Sequence, residues 1–145
     1  MMKEKVAVIG LGYVGLPLAI CLAKKFNVKG FDISESRIKA LKKNRDITNE
    51  ISSNVLKSTK KITYTNQKAD LIDCSVFIVT VPTPIDKFKR PDLGPIKSAS
   101  ELVGSILKKD DLVILFSDTP PSFKNKYRIH FEDLIDVYFF SNKQI

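Results

Sequence analysis

The sequence predicts an α/β fold: a doubly wound parallel sheet of about five strands, followed by an irregular or helical C-terminal tail. Three observations carry this expectation. Short β-branched apolar runs alternate with segments of helical spacing. A glycine-rich turn joins the first such run to the first helix. The run Val76–Val81, "VFIVTV", offers no polar face, as suits a strand covered on both sides.

Taken in order, Lys5–Ile9 reads as a short buried strand. Tyr13–Lys25 reads as a helix with Val14, Leu18, Cys21 and Leu22 on one face. Val28–Asp32 is a second strand. Ser34 is a candidate N-cap for a helix that continues through Arg37–Lys43 with Ile38 and Leu41 inward. Ser52–Thr59 reads as a further short helix, Ile62–Thr65 as a third strand and Leu71–Asp73 as a helical turn. Val76–Val81 is the fourth strand. Pro82, Pro84, Pro91 and Pro95 punctuate a long loop before the helix Ile96–Leu107, and Leu112–Phe116 is a fifth strand.

Composition narrows the function classes. With 145 residues, 43% of them hydrophobic and 28% charged, the chain suits one soluble domain. No apolar run reaches the ~20 residues of a membrane span, and glycines break the apolar start, which argues against a signal peptide. A cytoplasmic location is expected, with no membrane partner. The formal charge of +8 raises nucleic acid as a partner. The lysines, however, come in scattered pairs, Lys24-Lys25, Lys42-Lys43, Lys60-Lys61 and Lys108-Lys109, without interleaved aromatics. They read as a solvated surface. Cys21 and Cys74 lie inside apolar segments and read as small buried hydrophobes. His130 has no ligand at metal spacing, so no metal site is expected.

The chemistry lies in "VAVIGLGYVGLPLA", Val6 to Ala19, where Gly10, Gly12 and Gly15 keep the spacing G-x-G-x-x-G. Alone, that spacing is weak evidence. Here it follows a predicted strand and opens a predicted helix, which is the Rossmann-type context. Gly10 permits the tight turn, Gly12 lets the backbone approach a pyrophosphate, and Gly15 lets helix and strand pack closely. The amides of Leu11, Gly12, Tyr13 and Val14 are the candidate phosphate donors at the helix N-terminus. Asp32 closes the second strand, where a carboxylate accepts from the adenosine ribose hydroxyls and repels a 2′-phosphate. NAD is therefore the expected cofactor. Arg37 pulls the other way, since an arginine nearby accommodates a 2′-phosphate. The competing reading is a plain glycine turn in an α/β fold without a nucleotide. A second segment, "VTVPTP", ends the fourth strand in two X-Pro steps at the carboxyl edge of the sheet. Ligands bind at that edge in such folds, which makes Thr80, Val81, Pro82 and Thr83 candidates; the alternative is a structural turn.

These segments together resemble the NAD-binding domain of the UDP-glucose/GDP-mannose dehydrogenase family, from about Lys5 to about Ile114. The continuation Tyr-Val-Gly-Leu-Pro is more specific than the glycines. "GFDISESRI" is similar to the family's ribose-binding segment, which implies Asp32 and Arg37 on the adenosine. "DITNEIS" resembles the stretch after the second helix, and "VTVPTP" the loop near the nicotinamide, implicating Thr83. "RPDLGPIKSASELVG" is closest to the branch that oxidises UDP-N-acetylhexosamines. The resemblance implies two NAD-dependent oxidations at a sugar C6, relayed through a cysteine thiohemiacetal and thioester.

The resemblance also implies that the nucleophilic cysteine and its helpers belong to later domains. Cys21 and Cys74 do not fall on its motif, so no catalytic residue is assigned. Where the family has Glu-Ser-Thr, this chain reads "FSDTPPS", with Phe116 at the Glu position and Asp118 at the Thr position. Five of the nine phenylalanines lie at or after Phe116 and no glycine follows Gly104, so the composition changes there. The sequence thus divides into a domain over 1–116 and a divergent tail over 117–145, expected from a truncated or frameshifted reading frame. Phe131, Leu134, Ile135 and Tyr138 form a helical stripe in that tail. An exposed Leu112–Phe116 edge would either be covered by the tail or recruit another copy, and a homo-oligomer through that edge is expected.

Two functions stand beside each other at this point. One is the NAD-binding domain of a nucleotide-sugar 6-dehydrogenase, inactive alone, with a UDP-sugar as the whole family's second ligand. The other is a stand-alone NAD-sensing or interaction module that pairs with a full-length dehydrogenase. A 6-phosphogluconate or hydroxyacid oxidoreductase shares the glycine loop but is disfavoured by "VPTP" and "PDL".

Overall fold

The apolar runs become the strands of one parallel sheet in the computed structural model, which describes residues 4–116 and the backbone of 136–140. The strands are β1 (Lys5–Ile9), β2 (Asn27–Phe31), β3 (Ile62–Thr65), β4 (Val76–Val79), β5 (Leu112–Phe116) and β6 (Asp136–Phe140). Their order across the sheet is β3-β2-β1-β4-β5-β6. Every neighbouring pair is parallel. The chain leaves β1 toward β2 and returns to the other side of β1 as β4. That reversal makes a crevice at the carboxyl ends of β1 and β4.

Alternation along the strands feeds two cores. Val6, Val8, Val28 and Ile62 face helices α1 (Gly15–Leu22), α2 (Glu35–Lys42) and α3 (Ser53–Ser58) through Leu16, Ala19, Ile20, Ile38, Leu41 and Leu56. Ala7, Ile9, Phe77, Val79 and Val113 face the other way, onto α4 (Gly94–Gly104) through Ala99 and Val103. Phe77 is wholly buried, and truncating such a side chain to Ala costs about 3–5 kcal/mol.

The helices start where their caps allow. The Ser34 hydroxyl accepts from the Arg37 N–H at 3.3 Å, so Ser34 is the N-cap of α2 as expected. Ser52 caps α3 in the same way through Val55. Helix α1 begins at Gly15 rather than Tyr13, because residues 12–14 are spent in the glycine turn. Helix α4 begins earlier than expected, at Gly94, with Pro95 in its first turn where a missing N–H costs nothing.

Two expectations are corrected. Residues 136–140 were expected at the end of a helical stripe or in irregular structure. They form β6, parallel to β5 with Leu112 opposite Asp136 and Phe116 opposite Phe140. The run "DVYFF" is β-branched and aromatic, and short apolar runs satisfy either period until a partner strand decides. The rest of the stripe, Phe131 to Ile135, lies outside the described residues, as do His130 and the "SDTPPS" segment. Pairing with β6 covers the β5 edge, the first of the two expected alternatives, and makes β6 the outer strand of the sheet. The second correction is Cys21, which is exposed on α1, whereas Cys74 is buried as expected. Among the described residues no helix is long and apolar enough to cross a membrane.

Candidate functional site

The glycine turn sits at the carboxyl end of β1, and three neighbours hold it there. Gly10 has φ +95°, and a Cβ on it would lie 3.0 Å from the Val81 side chain. Any side chain there would be strained twice. A Cβ on Gly15 would fall 1.7 Å from the Gly10 carbonyl oxygen, so α1 and β1 meet only because Gly15 has none. Gly30 on β2 leaves room for the Leu11 side chain, which is fully buried.

Gly12 is different. A Cβ built on it meets nothing within 4 Å. Among the described residues no packing requirement excludes a side chain at that point. The space beside Gly12 is open, and Gly12 stands three residues before α1 begins. Among the described residues no acceptor engages the backbone N–H of Gly12, Tyr13 or Val14. Val14 is the N-cap of α1 and offers no side-chain acceptor. The first turn of α1 carries no acidic residue. Unanswered donors and an uncompensated helix dipole at one open spot suit an anion.

Leu11, expected among those donors, is occupied. Its N–H donates to Asp32 Oδ2 at 2.9 Å, while Asp32 Oδ1 accepts from the Ser34 N–H at 2.9 Å. Asp32 therefore stands half-buried just beyond β2, beside the glycine turn. Arg37 is buried instead of reaching outward. Its Nε and Nη2 donate to the Leu11 carbonyl at 2.8 and 2.6 Å, and its Nη1 pairs with Asp46 at 2.7 Å.

Asp46 and Thr48 are the participants that sequence reasoning did not single out. Asp46 Oδ1 accepts from the Thr48 N–H and hydroxyl, and Oδ2 from the N–H groups of Glu50 and Ile51. Burial works against its charge, but the Ile51, Thr48 and Arg37 donors outweigh it and hold the carboxyl down at about 2. The Asp-x-Thr spacing in "DITNEIS" is the available signal, since it suits a side chain that folds back on its own loop.

The loop after β4 forms the other wall. Thr80 is buried and turns its hydroxyl inward, 2.8 Å from the Gly10 carbonyl and 3.1 Å from that of Ile9. Its role is to lock the turn. Val81 packs toward Gly10, Pro82 is exposed, and Thr83 is half-buried at the carboxyl edge. Tyr13, Val14 and Ile33 expose apolar side chains around the same edge. The two cysteines are elsewhere: Cys21 in the last turn of α1, and Cys74 before β4 at the opposite end of the sheet.

Residues 4–137 match the model of the UDP-glucose/GDP-mannose dehydrogenase family, NAD binding domain. The chain belongs to that family. This family domain uses NAD, and the open glycine turn with Asp32 beside it fits the cofactor's pyrophosphate and ribose by the donors and space just described. The chain is 52% identical over 121 residues to a UDP-N-acetyl-D-glucosamine 6-dehydrogenase of Pseudomonas aeruginosa, covering 83% of this chain and 29% of that protein. It is 50% identical over 120 residues to protein CapL of Staphylococcus aureus, covering 83% and 28% respectively. A solved UDP-D-ManNAc dehydrogenase from Pyrococcus horikoshii superposes with a TM-score of 0.87 at 29% identity, over 98% of this chain and 37% of that one. The chain thus spans under a third of the length of the two curated relatives.

Proposed function

We propose that the domain grips NAD at the switch between β1 and β4, with the pyrophosphate on the N–H groups of Gly12, Tyr13 and Val14. The observation that carries this is the open space beside Gly12 together with the unengaged N–H groups of Gly12, Tyr13 and Val14. Asp32 accepts from the ribose hydroxyls, and its charge disfavours a 2′-phosphate. Leu11 serves through its peptide group, which ties Asp32 to Arg37. Thr80 and Gly10 hold the turn, and Val81, Pro82 and Thr83 line the nicotinamide side. NAD supplies a hydride acceptor when bound; the chain's own residues bind and orient it.

The whole protein's activity is read as oxidation of a UDP-N-acetylhexosamine at C6, in line with the names of the relatives, in the cytoplasm and in supply of acidic sugars for polysaccharides. Among the described residues neither cysteine stands at the carboxyl edge. Burial pushes the Cys74 thiol up to about 11, which suits a core residue and not a nucleophile. Substrate binding and the covalent step are therefore assigned to parts of the protein outside this domain.

Calorimetric titration with NAD tests the reading, with binding expected and competition expected from ADP-ribose. No heat at millimolar NAD, with the fold intact by circular dichroism, would overturn it. Formation of NADH from UDP-N-acetylglucosamine by this chain alone would overturn the assignment of the covalent step elsewhere.

A further inference from the structure

Asp32 and Arg37 clasp opposite ends of one residue. The Leu11 N–H goes to Asp32 Oδ2 at 2.9 Å, and the Leu11 carbonyl accepts from Arg37 Nε at 2.8 Å and Nη2 at 2.6 Å. A guanidinium one residue away from the ribose carboxylate is where a 2′-phosphate would look for a cation. Yet the carboxylate paired with Arg37 among the described residues is Asp46, at 2.7 Å, and not Asp32. The Asp46 side chain is 0% exposed and that of Arg37 is 9% exposed. Four donors from Thr48, Glu50 and Ile51 fix the Asp46 oxygens, so this counter-charge cannot follow Arg37 outward. If Arg37 swung toward solvent, a charged carboxylate would remain in the interior without its cation, which is strongly unfavourable.

We infer that Asp46 is a specificity-determining positioning residue: it holds Arg37 down on the Leu11 carbonyl, denies a 2′-phosphate its cation and keeps Asp32 free for the ribose hydroxyls. The inference rests on the glycine turn being the NAD site. Discrimination against NADP then has two parts. Asp32 repels the extra phosphate, and Asp46 removes the arginine that could offset that repulsion. Thr48 supports the restraint, since its hydroxyl lies between Asp46 Oδ1 at 2.7 Å and Arg37 Nη2 at 3.4 Å.

The test compares NAD and NADP affinities, the second by competition, for the unaltered chain, Asp46→Asn, Asp46→Asn with Arg37→Met, and Thr48→Val. Asp46→Asn is expected to narrow the NAD-to-NADP affinity ratio about tenfold, the scale of one charge-assisted hydrogen bond to phosphate. Adding Arg37→Met is expected to restore the ratio, because the freed cation is gone. Thr48→Val keeps the carboxylate and is expected to narrow the ratio about threefold. It decides the matter if circular dichroism shows Asp46→Asn unfolded. A purely structural Asp46 would weaken both cofactors in equal proportion, and an unchanged ratio in the folded variants would overturn the inference. Failure of the unaltered chain to bind NAD would instead overturn the site itself.

Discussion

The hydroxyl of Thr80, at the end of β4, lies 2.8 Å from the carbonyl of Gly10, at the end of β1, in the space that a Cβ on Gly15 would enter at 2.5 Å. One buried point thus joins two strands and the start of a helix. Gly12, three residues before Gly15, is open on the side where its Cβ would stand. The two glycines of one motif therefore answer to different demands: packing fixes Gly15, and the proposed cofactor site gives a reason for Gly12.

Alanine substitutions separate these demands. Gly15→Ala is expected to destabilise the fold by more than about 3 kcal/mol, since backbone must move to admit the methyl group. Gly12→Ala is expected to leave the melting temperature unchanged and to weaken NAD binding at least tenfold, about 1.4 kcal/mol. Thermal melts with NAD titration check both. Equal losses of stability in the two variants would contradict the division.

Asp46 makes stability depend on acid. Its carboxyl titrates at about 2 in the fold against an ordinary 3.8, so the charged form is favoured by roughly 2 kcal/mol. The depressed value means this contribution is complete above about pH 4 and lost as pH falls through 4 toward 2. Urea unfolding at pH 3 should show about 1 kcal/mol less stability than at pH 5 from this group. Asp46→Asn should remove that increment. A variant with the same acid sensitivity as the unaltered chain would assign the loss to other carboxylates.

Tyr64 carries a buried hydroxyl without a hydrogen-bond partner among the described residues. Burial pushes it up to about 12, so it stays protonated across the working range. An unpaired buried hydroxyl costs free energy. Tyr64→Phe is expected to leave stability unchanged or raise it by up to about 1 kcal/mol. A fall of that size in a thermal melt would mean that the hydroxyl has a partner after all.

The two thiols should differ. Cys21 is exposed and Cys74 is buried with its thiol held protonated. A thiol reagent at neutral pH is expected to label Cys21 in the native chain and to reach Cys74 only after denaturant is added. Prompt native labelling at Cys74 would show that the end of the sheet near it opens readily.

Five strands, their helices and the cofactor turn were legible from local pattern. "VFIV" lies between two layers as β4, two residues shorter than the expected run because Thr80 and Val81 leave the sheet for the loop, and a G-x-G-x-x-G between strand and helix has few other uses. Asp32 was marked by its place after the second strand, and the fold sets it beside the glycine turn through the Leu11 N–H. Arg37 was visible as a charge five residues after Asp32, but its direction was not. That depended on Asp46, which lies beyond α2 and meets Arg37 only because the loop after the helix folds back over the Leu11 carbonyl. The exposure of Cys21 turned on which side of α1 the sheet covers. Whether residues 136–140 form helix or strand turned on β5, a partner 20 or more residues away whose free edge supplies the hydrogen bonds. Local sequence determined the elements and the chemistry of the turn, because strand burial, helix start and glycine geometry are short-range constraints. Tertiary structure alone decided which charge neutralises which and what covers the last edge, because those pairings are between segments that the sequence keeps apart.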